Sequence, residues 1–310
     1  MECSTEINRA AAALKNGALV AFPTETVYGL GADATNDEAV ARLFAAKGRP
    51  RFNPLISHVA DAAAAFALGV FSDDAKKLAA FWPGPLTIVV PRAENCPVSL
   101  LASAGLSSIA LRVPKHPLAL ALLSAVGRAI VAPSANPSGR VSPTTAEHVK
   151  GAMGEKVAII LDGGPCTVGV ESTVVSFMQG QATLLRPGGL PRTAIEKVLG
   201  HELKTEADSA QPHGPGQLES HYAPRAHLRL DAAAPLNGET YLGFGPHHSG
   251  RHTLSARGDV LEAAANLFRM LHELDGLGAR DIAIAPIPHE GLGEAINDRL
   301  RRAAAPRPQT

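Results

Sequence analysis

The chain has 310 residues, with 29 Lys plus Arg balanced by 29 Asp plus Glu, 45% hydrophobic and 4% aromatic side chains. A protein whose main task is gripping a long nucleic acid carries a basic excess, so this balance argues against that class and makes any cationic site local. Cys3, Cys96 and Cys166 are far apart and form no C-x-x-C pair, which argues against a disulfide framework or a paired-cysteine zinc site.

MECSTEINRA holds an acidic residue and no apolar h-region, so no signal peptide is expected. The longest apolar stretch, 117–126, is too short to span a bilayer. The expectation is a soluble cytoplasmic protein. In chain order, residues 4–16 read as a helix stopped by Gly17, ALVAF (18–22) as a buried strand, and 36–46 as a helix with Asp37 and Glu38 in its first turn. LISHV (55–59) reads as a strand and 72–82 as a helix. Further strands are expected at 86–90, 108–113, 129–133, 157–161, 172–177 and 182–186, with helices at 116–126, 144–153 and 191–199. Alternating helices and short apolar strands indicate an α/β fold with a mixed sheet.

Residues 201–224, HELKTEADSAQPHGPGQLESHYAP, are polar and aperiodic and read as a linker after a domain spanning 1–200. Beyond it, strands at 227–230, 240–245 and 281–287 and helices at 259–274 and 291–304 describe a smaller α/β domain, 225–310. PRPQT reads as a disordered tail.

Polar residues gather where strands end, the place where open α/β sheets hold ligands. ALVAF runs into Pro23-Thr24-Glu25-Thr26, LIS into His58, SIAL into Arg112, AIVAP into Ser134-Ala135-Asn136 and ATLL into Arg186, while Glu171-Ser172-Thr173 opens a strand. Each alone reads as an ordinary cap or turn; their coincidence does not. No P-loop, G-x-G-x-x-G, G-x-S-x-G or H-E-x-x-H occurs. Glu25 and Glu171 are the plausible site carboxylates. Many cations and hydroxyls with few nucleophiles suit an anionic substrate that brings its own nucleophile, with catalysis by positioning and charge stabilisation.

FPTETVYGLGA (22–32), KGRPRFNPLISHV (47–59), WPGPLTIVV (82–90), LRVPKHP (111–117), APSANPSGRVSPTT (132–145), DGGPCTVGVESTVV (162–175) and LLRPG (184–188) occur in one order. Together they resemble the threonylcarbamoyl-AMP synthase family in its long form. That resemblance implies a twisted mixed-sheet YrdC-like catalytic domain followed by a smaller Rossmann-like α/β module. It also implies a reaction: L-threonine and bicarbonate form a carbamate that attacks the α-phosphate of ATP, pyrophosphate leaves, and a partner transferase complex carries the threonylcarbamoyl group to an adenosine beside the tRNA anticodon.

By the same resemblance, Lys47 and Arg49 form a K-x-R motif that meets the triphosphate. Asn53, Ser108, Ser134, Asn136, Ser142, Arg186 and Tyr222 belong with ATP. Thr26, His58, Arg112, the backbone at Ala132, and Ser172 belong with threonine. The family uses Mg²⁺, and without a carboxylate cluster the phosphates are expected to hold most of that ion. Arg51 is expected to be a solvated surface cation. Gly214 and Gly216 would hinge a lid over the site, with Tyr222 covering the nucleotide and Pro224 ending the motion; the alternative is an inert tether whose Tyr packs at the domain junction. HGPG stands where a Ser-Pro-Gly start is common in the family. Two other functions compete: a double-stranded RNA-binding module, disfavoured by the charge balance, and a carbamoyl-AMP-forming enzyme, disfavoured by the missing paired-cysteine zinc motifs. No membrane and no tight direct nucleic-acid binding are expected.

Overall fold

The computed structural model describes residues 2–178, 180–205, 221–248 and 250–306. Its strands are β1 Val20–Phe22, β2 Gly29–Asp33, β3 Ile56–His58, β4 Leu86–Pro91, β5 Ser108–Arg112, β6 Ile130–Val131 and β7 Ile159–Ile160. They continue as β8 Thr173–Ser176, β9 Thr183–Arg186, β10 Lys204–Thr205, β11 His227–Arg229, β12 Thr240–Gly243, β13 His252–Thr253 and β14 Asp281–Ile284. The helices are α1 Glu2–Lys15, α2 Asp37–Lys47, α3 Ala62–Phe66, α4 Asp73–Leu78, α5 Pro117–Val126, α6 Ala146–Met153, α7 Arg192–Leu199, α8 Val260–Gly276 and α9 Leu292–Ala304.

The first ten strands form one twisted sheet in the order β10-β9-β8-β4-β5-β3-β6-β2-β1-β7. Parallel pairs such as β3/β5 and β4/β8 alternate with antiparallel ones such as β4/β5 and β2/β6. Because side chains alternate along a strand, each strand sorts its residues between two faces. Ile88, Leu111, Val175 and Leu184 enter the main core with Val40, Leu43, Leu78, Val149 and Ile195 from α2, α4, α6 and α7. Ile56, Val89, Ala110, Val174 and Leu185 make a small apolar floor on the other face. His58 and Arg112 lie two residues beyond Ile56 and Ala110 and pair with each other in register, so both stand on that floor's face. At one end α1 and α5 cover it, packing Leu14 and Leu122 with Phe22 and Ile130.

Local sequence explains the K-G-R corner. Asn36 caps α2, its side chain accepting from Glu38 N–H and Ala39 N–H. Gly48 then takes φ 59, the left-handed turn that ends helices, and Arg49 N–H bonds back to Phe44 O at 3.0 Å. The chain reverses within one residue, so the last residue of the helix and the first after the turn are held close.

Residues 227–304 build the second unit. Its all-parallel sheet runs β11-β14-β12-β13. Leu242, Leu267, Phe268, Ile282 and Ile296 fill its core, and Val27, Val141 and Val170 of the first unit join that same cluster. The approach is close: a Cβ added to Gly169 would lie 2.4 Å from the carbonyl oxygen of Ala264 in α8.

Several expectations are corrected. GLGAD, to which no element was assigned, is the fully buried strand β2. The 72–82 helix is α4 followed by a 3₁₀ turn at Ala79–Phe81. A short helix α3 and strand β13 were not anticipated. Residues 204–205, assigned to the linker, pair in parallel with β9 and extend the sheet. Gly214 and Gly216 lie outside the described residues. Among the described residues no helix is long and apolar enough to cross a membrane.

Candidate active site

The K-G-R corner delivers two cations to the floor. Lys47 is buried and its Nζ donates to the carbonyls of Ser134, at 2.6 Å, and Asn136. Burial holds its ammonium well below the usual lysine range, and Arg49 lowers it further. Arg49 reaches the carbonyls of Asn53, at 3.3 Å, and Pro54, at 3.1 Å. Burial pulls its guanidinium down to about 10, with Tyr222 opposing and Arg186 adding to the effect. Asn136 Nδ2 donates to Pro137 O and Arg140 O, folding the 137–140 turn around itself. Both Asn53 Oδ1 and Asn136 Oδ1 are buried without a partner among the described residues, and buried polar atoms left so are exceptional unless a ligand completes them.

Arg186 arrives through a bulge. The register steps from Val175↔Leu184 to Val174↔Arg186, leaving Leu185 as the extra residue and turning Arg186 onto the face of Val174. There its Nη2 donates to Ser172 O at 2.8 Å and to Ser172 Oγ at 3.2 Å. Ser172 Oγ also bonds Thr87 Oγ1 at 2.8 Å.

The neighbouring end is built from side chains. Arg112 Nη2 donates to Thr26 Oγ1 at 2.8 Å and lies 2.9 Å from Glu25 Oε1, an ion pair without hydrogen-bond alignment. Glu25 is fixed from behind by Lys115 N–H at 3.0 Å, and Thr26 by Thr24 Oγ1 at 2.8 Å. Arg112 Nε is buried with no partner among the described residues. His58 Nδ1 faces Ile56 O at 3.2 Å, and its ring meets Phe22 edge-on. Burial, then Arg112, push its imidazole down to about 3, so it is neutral at ordinary pH. Ala132 N–H is taken by Ile56 O.

The structure therefore brings together Lys47, Arg49, Asn53, Ser134, Asn136 and Arg186 at one end and Thr26, His58, Arg112 and Ser172 at the other, joined by the Arg186–Ser172 bonds. Ser108 opens β5, four residues or about 13 Å along the strand from Arg112, and lines a small pocket with Pro54, whose carbonyl Arg49 holds. Ser142 donates to Glu171 Oε1 at 2.5 Å. Arg51 is exposed. Tyr222 adopts φ 64 and stacks on Phe268 at 5.7 Å in the second unit's core, with its hydroxyl unpartnered among the described residues.

Sequence reasoning missed His221, Asp298 and Arg299. His221 is buried, and burial, then Arg49, Lys47, Arg186 and Arg299, hold its imidazole well below its usual range. Arg299 pairs with Glu171 at 2.7 Å and with Asp298 at 2.7 Å. Nothing in LGEAINDRLRRAA marks these residues, because a charged helical face normally reads as a solvated one.

Comparison with known proteins fits this geometry. Residues 12–188 match the family described as telomere recombination (Sua5, YciO, YrdC), and 190–305 match the threonylcarbamoyl-AMP synthase C-terminal domain. The chain is 40% identical to the threonylcarbamoyl-AMP synthase of Pyrococcus abyssi over 324 residues, covering 96% of this chain and 94% of that protein. It is 41% identical to the Bacillus subtilis threonylcarbamoyl-AMP synthase, covering 97% and 94%. The crystal structure of P. abyssi Sua5 complexed with L-threonine superposes with a TM-score of 0.89 at 39% identity, covering 97% of this chain and 94% of that one. E. coli YciO, 22% identical with a TM-score of 0.55, shares the fold over 60% of the chain. The chain belongs to the threonylcarbamoyl-AMP synthase family.

Proposed function

We propose that this protein makes L-threonylcarbamoyl-AMP from L-threonine, bicarbonate and ATP, releasing pyrophosphate, and that a partner transferase complex uses the product on the adenosine next to the tRNA anticodon. The observation that carries this reading is the adjacency of a cationic cluster, buried Lys47 and Arg186 with half-buried Arg49, to a compact polar cluster of Thr26, His58, Arg112 and Ser172, bridged by the Arg186–Ser172 bonds. The P. abyssi relative, whose structure holds L-threonine, supports the pocket's assignment.

The threonine carboxylate has a natural partner in Arg112, whose Nε has no partner among the described residues and whose plane Glu25 and Thr26 orient. A neutral His58 has one acceptor nitrogen to offer the threonine hydroxyl, and a site built to bond a hydroxyl discriminates against analogues lacking it. The threonine amine combines with bicarbonate to give a carbamate, with loss of water. A carbamate oxygen then forms its bond to the α-phosphorus while the bond to the bridging oxygen breaks, and the electron pair leaves with pyrophosphate. Lys47 and Arg49 neutralise charge accumulating on the phosphates. Among the described residues Lys47 Nζ bonds carbonyl oxygens, so a triphosphate would replace neutral acceptors with anionic ones and favour its charged form.

Mg²⁺ fits as part of the nucleotide. No group of three or more His, Cys, Asp or Glu able to hold an ion occurs among the described residues, and Glu25 and Glu171 are each engaged by an arginine. The phosphates would hold most of the ion, which supplies further charge neutralisation on the leaving pyrophosphate. Tyr222 packs at the junction of the two units, as the tether alternative expects, and also lies near Arg49 and Arg186, where a lid would shield the mixed anhydride from water. Under the lid reading Tyr222→Ala releases extra AMP by hydrolysis. The overall reaction is tested with ¹³C-bicarbonate: the label must appear in a nucleotide product of threonylcarbamoyl-AMP mass, and its absence refutes the proposal.

A further inference from the structure

Arg299 lies in α9 of the second unit, yet its side chain is 1% exposed and reaches into the first. Its Nε bonds Glu171 Oε2 at 2.7 Å, and its Nη1 bonds Pro187 O at 2.9 Å and Asp298 Oδ2 at 2.7 Å. Its guanidinium sits 5.1 Å from the Tyr222 ring centre. Burial opposes its charge, but Tyr222, Glu171 and Asp298 together raise its pKa above the ordinary arginine value. Each first-unit contact flanks a residue assigned to the reaction: Pro187 follows Arg186, Glu171 precedes Ser172, and the other Glu171 oxygen accepts from Ser142 Oγ at 2.5 Å.

We infer that Arg299 is a positioning residue for the nucleotide site: through Glu171 and Pro187 it holds Ser142 and Arg186 in place, so the second unit completes the nucleotide site of the first. The inference rests on the reading that Ser142 and Arg186 meet ATP. Its logic is electrostatic. Glu171 accepts from both Ser142 and Arg299. If a phosphate takes the Ser142 hydrogen, Glu171 loses that bond, and Arg299 keeps its carboxylate paired and in position. Without Arg299, Glu171 would be a buried carboxylate whose remaining donor is Ser142, and it would compete with the nucleotide for that hydroxyl. Asp298 keeps the guanidinium in register, and Arg302 shares Asp298 at 3.0 Å, so the whole cluster is anchored on α9.

A purely cementing role is separable, because Arg192–Glu294, at 2.6 Å, also ties the two units together and touches none of the ATP-assigned residues. Lysine at 299 retains the charge, but one ammonium does not reproduce the planar fork that serves Glu171, Pro187 and Asp298 together. The test is calorimetric titration of the full-length wild type, Arg299→Lys, Arg299→Gln, Glu171→Gln, Arg299→Lys/Glu171→Gln and Arg192→Ala, each with a non-hydrolysable ATP analogue and, separately, with L-threonine. Thermal melts check folding, and Arg299→Lys keeps the test valid if Arg299→Gln does not fold.

The expected result is nucleotide affinity weakened about tenfold in Arg299→Lys, threonine affinity unchanged, and a non-additive double variant, as coupled sites require. Wild-type nucleotide affinity in Arg299→Lys overturns the inference. So does an equal loss in Arg192→Ala, which would make Arg299 mere cement, and so does an equal loss of threonine affinity. If the wild type binds nucleotide but releases no pyrophosphate with threonine and bicarbonate, the proposed reaction falls while the positioning role stands on the binding data. If the wild type binds no nucleotide, both fall.

Discussion

The two ends of the site are held in opposite ways. At the Arg112 end, side chain grips side chain: Glu25, Thr26 and Thr24 form a closed set of contacts with it. At the Lys47 end, the cations rest on backbone carbonyls, and Asn53 Oδ1 and Asn136 Oδ1 have no partner among the described residues. Under the proposed reading, the difference means that the end assigned to threonine is held by its own side chains, whereas the end assigned to the triphosphate offers two cations and two amide oxygens to its ligand. A site held by its own side chains favours discrimination.

The sharpest way to break this comparison is substrate choice. A pocket that bonds the threonine hydroxyl should reject valine by up to about 10⁴-fold in kcat/KM. Valine working within a few-fold of threonine would show that Thr26 and His58 do not form that pocket. Next in size, Lys47→Ala and Arg49→Ala should each lower pyrophosphate release by about 10²-fold or more, the usual cost of removing a charge-stabilising group. Lys47→Ala should also lower the melting temperature, because it leaves the Ser134 and Asn136 carbonyls without their buried donor, whereas half-buried Arg49→Ala should change it less.

Gly48→Ala sharpens the geometric part. No atom lies within 4 Å of the added Cβ, so its cost is conformational alone, about 1–2 kcal/mol for φ 59. Denaturant unfolding measures that cost, and activity should fall if the strained turn moves Lys47 from Arg49. Smaller still is the effect of pH. His58 has its pKa lowered to about 3 by burial and Arg112, so the folded state binds fewer protons than the unfolded state between there and the ordinary histidine value of 6.5. The stability it contributes is present above 6.5 and is lost as pH falls toward 3; replacing His58 should flatten that part of the stability profile. Threonine affinity should be level from pH 6 to 8, and a histidine-like titration there would mean His58 is not held neutral. At the bottom of the scale, Arg51→Ala should leave turnover near the wild-type value.

The motif-bearing strand ends were legible because short apolar runs stop abruptly at hydroxyls and cations, as at Ile56–His58 and Ile109–Arg112. GLGAD was not, since two glycines suggest a turn; its burial comes from neighbours β1 and β6, which no local pattern reveals. The Leu185 bulge was equally invisible. By simple alternation Arg186 would share the face of Leu184, and only the shifted pairing with Val174 turns it toward the site. Arg299 and Asp298 escaped notice because their burial is created by another part of the chain: the second unit presses α9 against Glu171 and Pro187. His221 and Tyr222 looked like linker residues and are instead packed between the two units.

The measurement that tests the account most directly is pyrophosphate release from ATP and Mg²⁺ by the full-length protein, with threonine or bicarbonate omitted in turn. Release that requires both is the predicted result, since the attacking carbamate is made from the two together. Release that continues undiminished without threonine would contradict the account, because the Thr26, His58, Arg112 and Ser172 pocket would then play no part in supplying the nucleophile.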